Sequence, residues 1–494
     1  MNFRKIASGC VMLGVMLCSV GTALADVWDT VKEAYVFSFP LVLMDATKTV
    51  GTNTVEATEK KAPENQFLHA KTLATAAFRQ VVTPNVDTLY SQLFLNLSDD
   101  AVVIHKPAAD RFLSLEVMDA WSNCVTVLGT GGKDDTEDER TYLLTGPNFS
   151  GTVPADMKQV KMPTAIGWIL GRTVCSGDSD LENVYAVQEK LTSKTLTVYN
   201  NGGEMPKGTY NPANDFTPIE HAQKMSAKEF FGRVNELLVT NPPFPADEAK
   251  LEKLAKIGVG AGLSFDESIL TDTDGAKWKE MTGSVRNELV ASVKKDGYAK
   301  QIGAFNFFGY PIAEFDKAYE YRCLVAIDAF GANPTYIAVY PSATIDDDGD
   351  KLNAQNAYVL HFDKVPPVKT HGFWSVTAYG DDNFLIDNEL NRYCINDRSD
   401  AKVNKDGSLD IYLQATKPTD ESKVSNWLPV GTAGFHLHMR IYLPQDSALD
   451  GTWTWPTIKK AGGVTSNKGS GGCDVGLGGL ALLALSALFL KKRR

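Results

Sequence analysis

The chain has 494 residues, 44% of them hydrophobic and 22% charged, with 60 acidic side chains against 49 basic ones. That composition builds ordinary hydrophobic cores in two or three domains and excludes a disordered chain. A formal net charge of −11, with no long basic run, argues against binding nucleic acid or anionic lipid, since both need clustered Lys and Arg.

Residues 1–25 have the three parts of a secretory signal: Arg4 and Lys5, a short apolar stretch over 11–20, and Ala23-Leu24-Ala25 before Asp26. Lipoprotein processing is the weaker reading, because Cys18 follows Leu17 and Cys10 has no apolar stretch before it. In residues 26–60, Val27, Val31, Ala34, Tyr35 and Phe39 fall at helical spacing, and Pro40 is expected to break the helix. Residues 61–205 turn to short β-rich runs at 101–105, 112–117, 142–144 and 196–199, separated by Gly, Asp and Asn turns in the pattern of a sandwich.

Residues 206–330 read as helical. Ser226-Ala-Lys-Glu229 forms a capping box ahead of Phe230, Phe231, Val234 and Leu237. Pro245 opens a second helix that ends at Ile257 and is closed by Gly258, and a third spans 276–295, with Gly297 as its stop. Strands return over 331–460. One, at 373–379, ends in the turn Gly380-Asp381-Asp382. In 435–443, Phe435, Leu437, Met439, Ile441 and Leu443 share one face, while His436, His438, Arg440 and Tyr442 share a face expected to meet solvent or line a groove.

A Gly/Ser-rich linker over 461–472 leads to a tail, 473–494, that starts at Cys473, is apolar or Gly over 475–490 apart from Ser486, and ends in Lys-Lys-Arg-Arg. As a helix the apolar part spans about 24 Å, short of a bilayer core of about 30 Å, and snorkelling lysines supply part of the difference. The positive-inside rule keeps the basic end cytoplasmic and places residues 26–470 outside. Gly469-Ser-Gly-Gly-Cys473 followed by such a tail resembles the tripartite C-terminal sorting signals of bacterial surface proteins. That resemblance implies a sorting protease cutting near the Gly-Gly-Cys; the alternative is a permanent single-span anchor. Either way the protein is exported and attached to the envelope. Without both ends, 43 basic residues face 59 acidic ones, a net charge near −16.

Cys124, Cys175, Cys323 and Cys394 stay in the body, too widely spaced for zinc ribbons or thioredoxin-like chemistry; disulfides and buried free thiols are both open. The sequence has no Gly-x-Ser-x-Gly elbow, His-Glu-x-x-His helix, Walker loop or dinucleotide fingerprint, and no cofactor is predicted.

Two clusters of words make a family resemblance. The first is Arg79-Gln-Val-Val-Thr-Pro-Asn-Val-Asp-Thr-Leu-Tyr-Ser91, then Leu115-Glu-Val-Met-Asp-Ala-Trp121. The second is Gly372-Phe-Trp-Ser-Val-Thr-Ala-Tyr379, Asn391-Arg-Tyr393, Asp397-Arg398, Asp406-Gly-Ser-Leu409, Asn426-Trp-Leu-Pro429, Arg440-Ile-Tyr442 and Gly451-Thr-Trp453. Over residues 30–460 the chain resembles the bacterial family that pairs the domains of unknown function 1254 and 1214. The resemblance implies a mainly β fold with a helical insert: an immunoglobulin-like β-sandwich, an α-helical subdomain and a jelly-roll-like β-sandwich. It implies no reaction. Gly131-Gly-Lys-Asp-Asp135 departs from the Arg-Thr-Thr-Gly type of turn associated with that family, so a ligand at this turn would differ.

Several residue groups could carry chemistry. Asp87, with Arg79 and Tyr90 near it, is a candidate general base or ligand anchor, and equally a lock for its turn. Arg392 and Arg398, with Asn391 and Tyr393, form a candidate anion site, against pairing of the arginines with Asp397 or Asp400. Trp374, Tyr379 and Trp427 could stack on sugar rings or belong to a core. His436 and His438 are weak metal candidates that need His361 or His371 from another strand. Asp346-Asp-Asp-Gly-Asp350 offers hard oxygens for Ca²⁺ but departs from the EF-hand order, which favours a solvated turn. The function expected is binding of a polar ligand, a glycan or carboxylated small molecule, in a groove between the domains. One alternative is an envelope hydrolase or lyase with Asp87 as base; another is a surface-assembly protein.

Overall fold

A computed structural model describes residues 4–79, 82–133, 138–272, 275–309 and 311–461, with side chains from residue 27 onward. The tail at 473–494, all but the first residue of the linker, and the side chains of residues 1–26, where a secretory signal is expected, lie outside the described residues. Among the described residues no helix is long and apolar enough to cross a membrane.

The first helix, Arg4–Gly51, does not break at Pro40. Proline removes one backbone bond and costs about 3 kcal/mol inside a helix. Here Phe39, Leu41, Val42 and Leu43 are all 0% exposed. Each buried side chain of that size returns about 1.5–3 kcal/mol, so burial outweighs the lost bond.

Four sheets follow. Sheet I is built on the strand Ile166–Val174, which pairs antiparallel with Thr88–Asn96 on one side and Leu113–Asp119 on the other. Sheet II joins Lys158–Lys161, Arg140–Thr145, Val102–Lys106 and Thr192–Thr195. The two share a core in which Leu93, Leu115 and Ile169 of sheet I meet Val102, Ile104 and Leu144 of sheet II. Alternation sends Phe94, Phe112, Met118 and Trp168 to the opposite face of sheet I, where they join the first helix and the helical segments in one large core. Sheet I is therefore covered on both faces.

The run at 196–199, expected as a strand, is a helix, Leu196–Asn201. Sheet II ends at Thr195, whose side chain accepts from the Val198 N–H and so caps the helix that starts there. The helical segments come as the sequence predicts. The Ser226–Glu229 capping box is formed in full, Gly258 takes a positive φ of 78° after the second helix, and the third runs Ala276–Lys295.

Strands resume earlier than expected, with a hairpin of Ala299–Ile302 and Phe305–Phe308 inside the region read as helical. Its Phe305 and Phe307 supply the apolar side that the core of the second sheet pair needs. The hairpin is the edge of sheet III, whose centre is Phe435–Pro444 paired with Val368–Gly380. Sheet IV consists of Trp427–Pro429, Leu409–Gln414, Tyr358–Phe362 and Thr457–Lys460. Leu437, Met439 and Ile441 pack against Leu360, Ile411 and Leu413 between them. The other face of sheet III turns toward sheet I: Phe112 sits edge-on to Phe373 at 5.4 Å and to Tyr442 at 5.3 Å. The fold is β-rich with helices, and its two sheet pairs meet along this seam.

Candidate functional site at the seam

The segment before strand Thr88–Asn96 is pinned to sheet III along its length. Arg440 Nη2 donates to the Thr83 carbonyl at 3.0 Å, the Tyr379 hydroxyl to the Pro84 carbonyl at 2.7 Å, and Asn85 Nδ2 to the Tyr442 hydroxyl at 2.8 Å. Asp87 is 0% exposed. Its Oδ2 accepts from Ser375 Oγ at 2.5 Å, and its Oδ1 from Arg398 Nη2 at 2.7 Å and Asn396 Nδ2 at 3.4 Å. Thr83 takes a φ of 47°, costly for a β-branched residue and more so before proline. Arg440 holds its carbonyl there, and its N–H donates to the Asn383 carbonyl at 2.7 Å.

Arg398 serves two carboxylates. Besides Asp87 it reaches Asp397 at 2.6 Å, and its guanidinium lies 4.6 Å over the Phe373 ring. Burial raises the Asp397 carboxyl, with Arg398 opposing. Burial also pushes the Cys394 thiol up to about 12, and the Asp87 charge adds to this. Cys394 is free, as are Cys124, Cys175 and Cys323.

A second buried ion pair stands deeper in the seam. Arg172 Nη1 donates to Glu116 Oε2 at 3.0 Å and to Asn333 Oδ1 at 2.9 Å, and both charged side chains are enclosed at 1% and 0% exposure. Burial pushes the Glu116 carboxyl up to about 7 against the pull of Arg172, while the neighbouring phenols and Glu116 hold the guanidinium firmly protonated. Sequence reasoning did not single out this pair. Its signal is present in the sequence: Arg172 and Glu116 are charges inside runs that are otherwise apolar or small, Ile166–Val174 and Leu113–Val117.

The face of His436, His438, Arg440 and Tyr442 is buried, at 7%, 1%, 0% and 1% exposure, not open to solvent as expected. Phe112 lies against its Tyr442, Thr83 and Asn85 bond to Arg440 and Tyr442, and Tyr379 packs on both imidazoles, contacts that a single strand's alternation cannot show. The imidazoles are 5.2 Å apart, and His436 stacks on Tyr379 at 5.6 Å. Desolvation lowers His436 to about 4 and holds His438 well below the ordinary imidazole value, so both are neutral at pH 7. Among the described residues no three His, Cys, Asp or Glu gather as a metal site. His361 lies on sheet IV, bonded to Asp410 at 2.6 Å. Unpartnered at the seam are both nitrogens of His438, His436 Nε2, Arg440 Nε, Arg398 Nε, Thr83 Oγ1, Thr88 Oγ1 and the second Glu116 oxygen, Oε1.

A cavity of about 330 Å³ opens at the rim, lined by Arg79, Asp381, Asp382, Phe384 and Gly434 among others. Arg79 is exposed there and pairs with Asp382 at 2.7 Å. The other candidates lie apart or are occupied. Arg392 is not an open anion site, because its Nη1 donates to the Val424 and Trp427 carbonyls at 2.7 and 2.9 Å. Asn391 is exposed, with a φ of 49°, and accepts from the Tyr393 hydroxyl. Trp374, 4% exposed beside Phe362, and Tyr379, 0% exposed, are interior rings and present no stacking face to solvent. Trp427 is also buried, its indole donating to the Gln414 carbonyl. In the acidic turn Asp346 accepts from the Asp348 and Asp350 amides, and Lys460 supplies the positive charge.

Residues 64–195 match the model of a family described as protein of unknown function (DUF1254), and residues 337–446 that of a second, protein of unknown function (DUF1214). The chain thus pairs the two domains. The seam draws on both: Asp87, Tyr90, Glu116 and Arg172 lie in the first match, and Tyr340, Ser375, Arg398, Arg440 and Tyr442 in the second. The crystal structure of the VPA0106 protein from Vibrio parahaemolyticus is similar in fold, with a TM-score of 0.65 and 24% identity over 88% of this chain and 99% of that one. An uncharacterized protein from Burkholderia cenocepacia aligns with 13% identity over 90% of this chain and 96% of its own, at a TM-score of 0.39. No curated protein matches the sequence.

Proposed function

We propose that this is an exported, envelope-attached protein that binds a small polar ligand, a glycan or a carboxylated molecule, at the seam between sheets I and III. In this reading the first sheet pair is an immunoglobulin-like sandwich and the second a jelly-roll-like one. The observation that carries the reading is the unmet hydrogen-bonding capacity of the seam, gathered on Arg398, Arg440, His436 and His438. Each buried polar group without a partner costs about 1–3 kcal/mol. Several together rival the whole stability of a domain, about 5–15 kcal/mol, so polar matter has to fill the seam.

Binding is favoured over hydrolysis or lyase chemistry by the state of Asp87. A general base needs a free lone pair facing substrate. Asp87 is 0% exposed, and its carboxylate is turned to Ser375, Arg398 and Asn396, which it holds across the seam. Melting of the full chain against simple sugars, small carboxylates and phosphates tests the proposal. A ligand at about a hundred times its Kd adds roughly 2.7 kcal/mol and raises the Tm visibly. A flat response across the panel would leave surface assembly as the stronger reading, to be followed by cross-linking on intact cells.

A further inference from the structure

Three tyrosines surround Arg172, and the direction of their hydrogens can be worked out. Asn85 Oδ1 accepts from the Asp87 N–H at 2.6 Å, so it is the amide nitrogen of Asn85 that faces the Tyr442 hydroxyl at 2.8 Å. The hydroxyl accepts there, and its own hydrogen points elsewhere. Asn333 is fixed in the same way. Its oxygen accepts from Arg172 at 2.9 Å, so its nitrogen donates to the Tyr340 hydroxyl at 2.6 Å. Among the described residues neither hydroxyl has an acceptor, and the half-buried Tyr90 hydroxyl has no partner.

The three phenols belong to one cluster. Tyr340 and Tyr442, 5% and 1% exposed, stand perpendicular with ring centres 6.4 Å apart. The Arg172 guanidinium lies 5.7 Å over the Tyr90 ring. All three phenols are close enough to Arg172 to act on its charge, and Tyr90 and Tyr340 both act on Tyr442.

We propose that Tyr90, Tyr340, Tyr442 and Arg172 form the head-group subsite of the seam and receive the carboxylate of a small organic acid. The inference rests on the seam-binding reading and narrows its ligand. A carboxylate accepts at both oxygens and suits three O–H donors beside a cation, whereas a sugar hydroxyl must also donate, and the unpartnered acceptor beside Arg172 is the enclosed Glu116 Oε1. A phosphate dianion would bring two charges to one guanidinium already shared with Glu116. A monocarboxylate brings one, and the half-buried Tyr90 is the member of the cluster that reaches the surface.

The test is a titration of the full chain with acetate and benzoate, their neutral partners acetamide and benzamide, inorganic phosphate and methyl glucoside, read by melting temperature and calorimetry. Carboxylates should bind and the amides should not. Tyr90→Phe breaks no protein hydrogen bond and should weaken the carboxylate about tenfold or more, as expected for one hydrogen bond to a charged group. Tyr340→Phe and Tyr442→Phe should do the same; should either fail to fold, Tyr90→Phe alone decides. Unchanged carboxylate affinity in Tyr90→Phe overturns the subsite. Binding of methyl glucoside or phosphate without carboxylates overturns it while sparing the seam reading. A panel in which nothing binds overturns both.

Discussion

Asp87 and Ser375, 288 residues apart in sequence, share a 2.5 Å hydrogen bond at a place where both side chains are 0% exposed. The bond joins the two sheet pairs through one carboxylate, and Arg398 closes the arrangement from 311 residues away. Asp87→Asn keeps the shape but removes the charge facing the guanidinium. Breaking a buried pair from one side costs about 3–5 kcal/mol. Arg398 keeps Asp397 and a little solvent contact, so the lower end, about 3 kcal/mol, is expected in urea unfolding. An unchanged midpoint would return Asp87 to ligand or catalytic duty.

Two buried groups tilt stability with pH in opposite directions. Glu116 has a folded pKa of about 7 against an ordinary 4.5, so the native state holds its proton more tightly. Its contribution is therefore full below pH 4.5 and falls as pH rises toward 7. His436 has a folded pKa of about 4 against 6.5, so the unfolded chain takes the proton first. Its contribution is full above pH 6.5 and is lost as pH falls toward 4. Each swing amounts to roughly 3 kcal/mol, and in the wild type they largely offset between pH 4.5 and 6.5. Relative to wild type, Glu116→Gln should therefore lose stability more steeply as the pH falls, and His436→Gln should gain it. Melting curves at half-unit steps check both; parallel curves for wild type and both variants would remove the titrations from the seam.

Much of the fold is legible in the sequence because it is local. The capping box at Ser226, the helix Ala276–Lys295 and the alternation from Phe435 to Tyr442 follow from spacing alone, though Leu443, at a φ of 50°, leaves the face of Phe435 for the core that holds Tyr442. The misreadings have two causes. Pro40 is tolerated because its helix is enclosed by tertiary packing, whereas the strand-like run after Thr195 becomes a helix through a local cap from Thr195. The site was legible in pieces. Asp87, Tyr90 and Arg398 stand out as special residues, but no spacing rule says that Asp87 meets Ser375, or that Arg440 and Tyr442 meet Thr83 and Asn85. Arg172 and Glu116 are harder still, since a lone charge in an apolar strand gains meaning only once its partner is seen across the sheet.

The acidic turn should behave as a lysine site, not a calcium site. Asp346 is 1% exposed, with Lys460 at 3.4 Å, and Lys460 also reaches Asp350 at 2.6 Å. Millimolar Ca²⁺ should leave the Tm within about 1 °C, because the turn's cation is already present and the closing bidentate carboxylate of a calcium loop is missing. Lys460→Met leaves the buried Asp346 carboxylate without its counter-charge and should cost about 1–2 kcal/mol, discounted because the lysine is part-exposed. A clear Ca²⁺-induced rise in the wild type would restore the metal reading.

The proposed export gives the last prediction, since the seam's ligand has to be sought where the protein resides. The spacing of Arg4, Lys5, the apolar stretch and Ala23-Leu24-Ala25 places cleavage before Asp26. The first helix nonetheless runs without interruption through that bond, from Arg4 to Gly51. Cleavage there would spare the residues by which this helix enters the core, from Trp28 to Met44. Mass spectrometry of protein taken from the envelope fraction should therefore find an N-terminus at Asp26. Intact Met1 on a soluble internal protein would mean that residues 1–25 extend the first helix, and would remove the envelope from the proposed function.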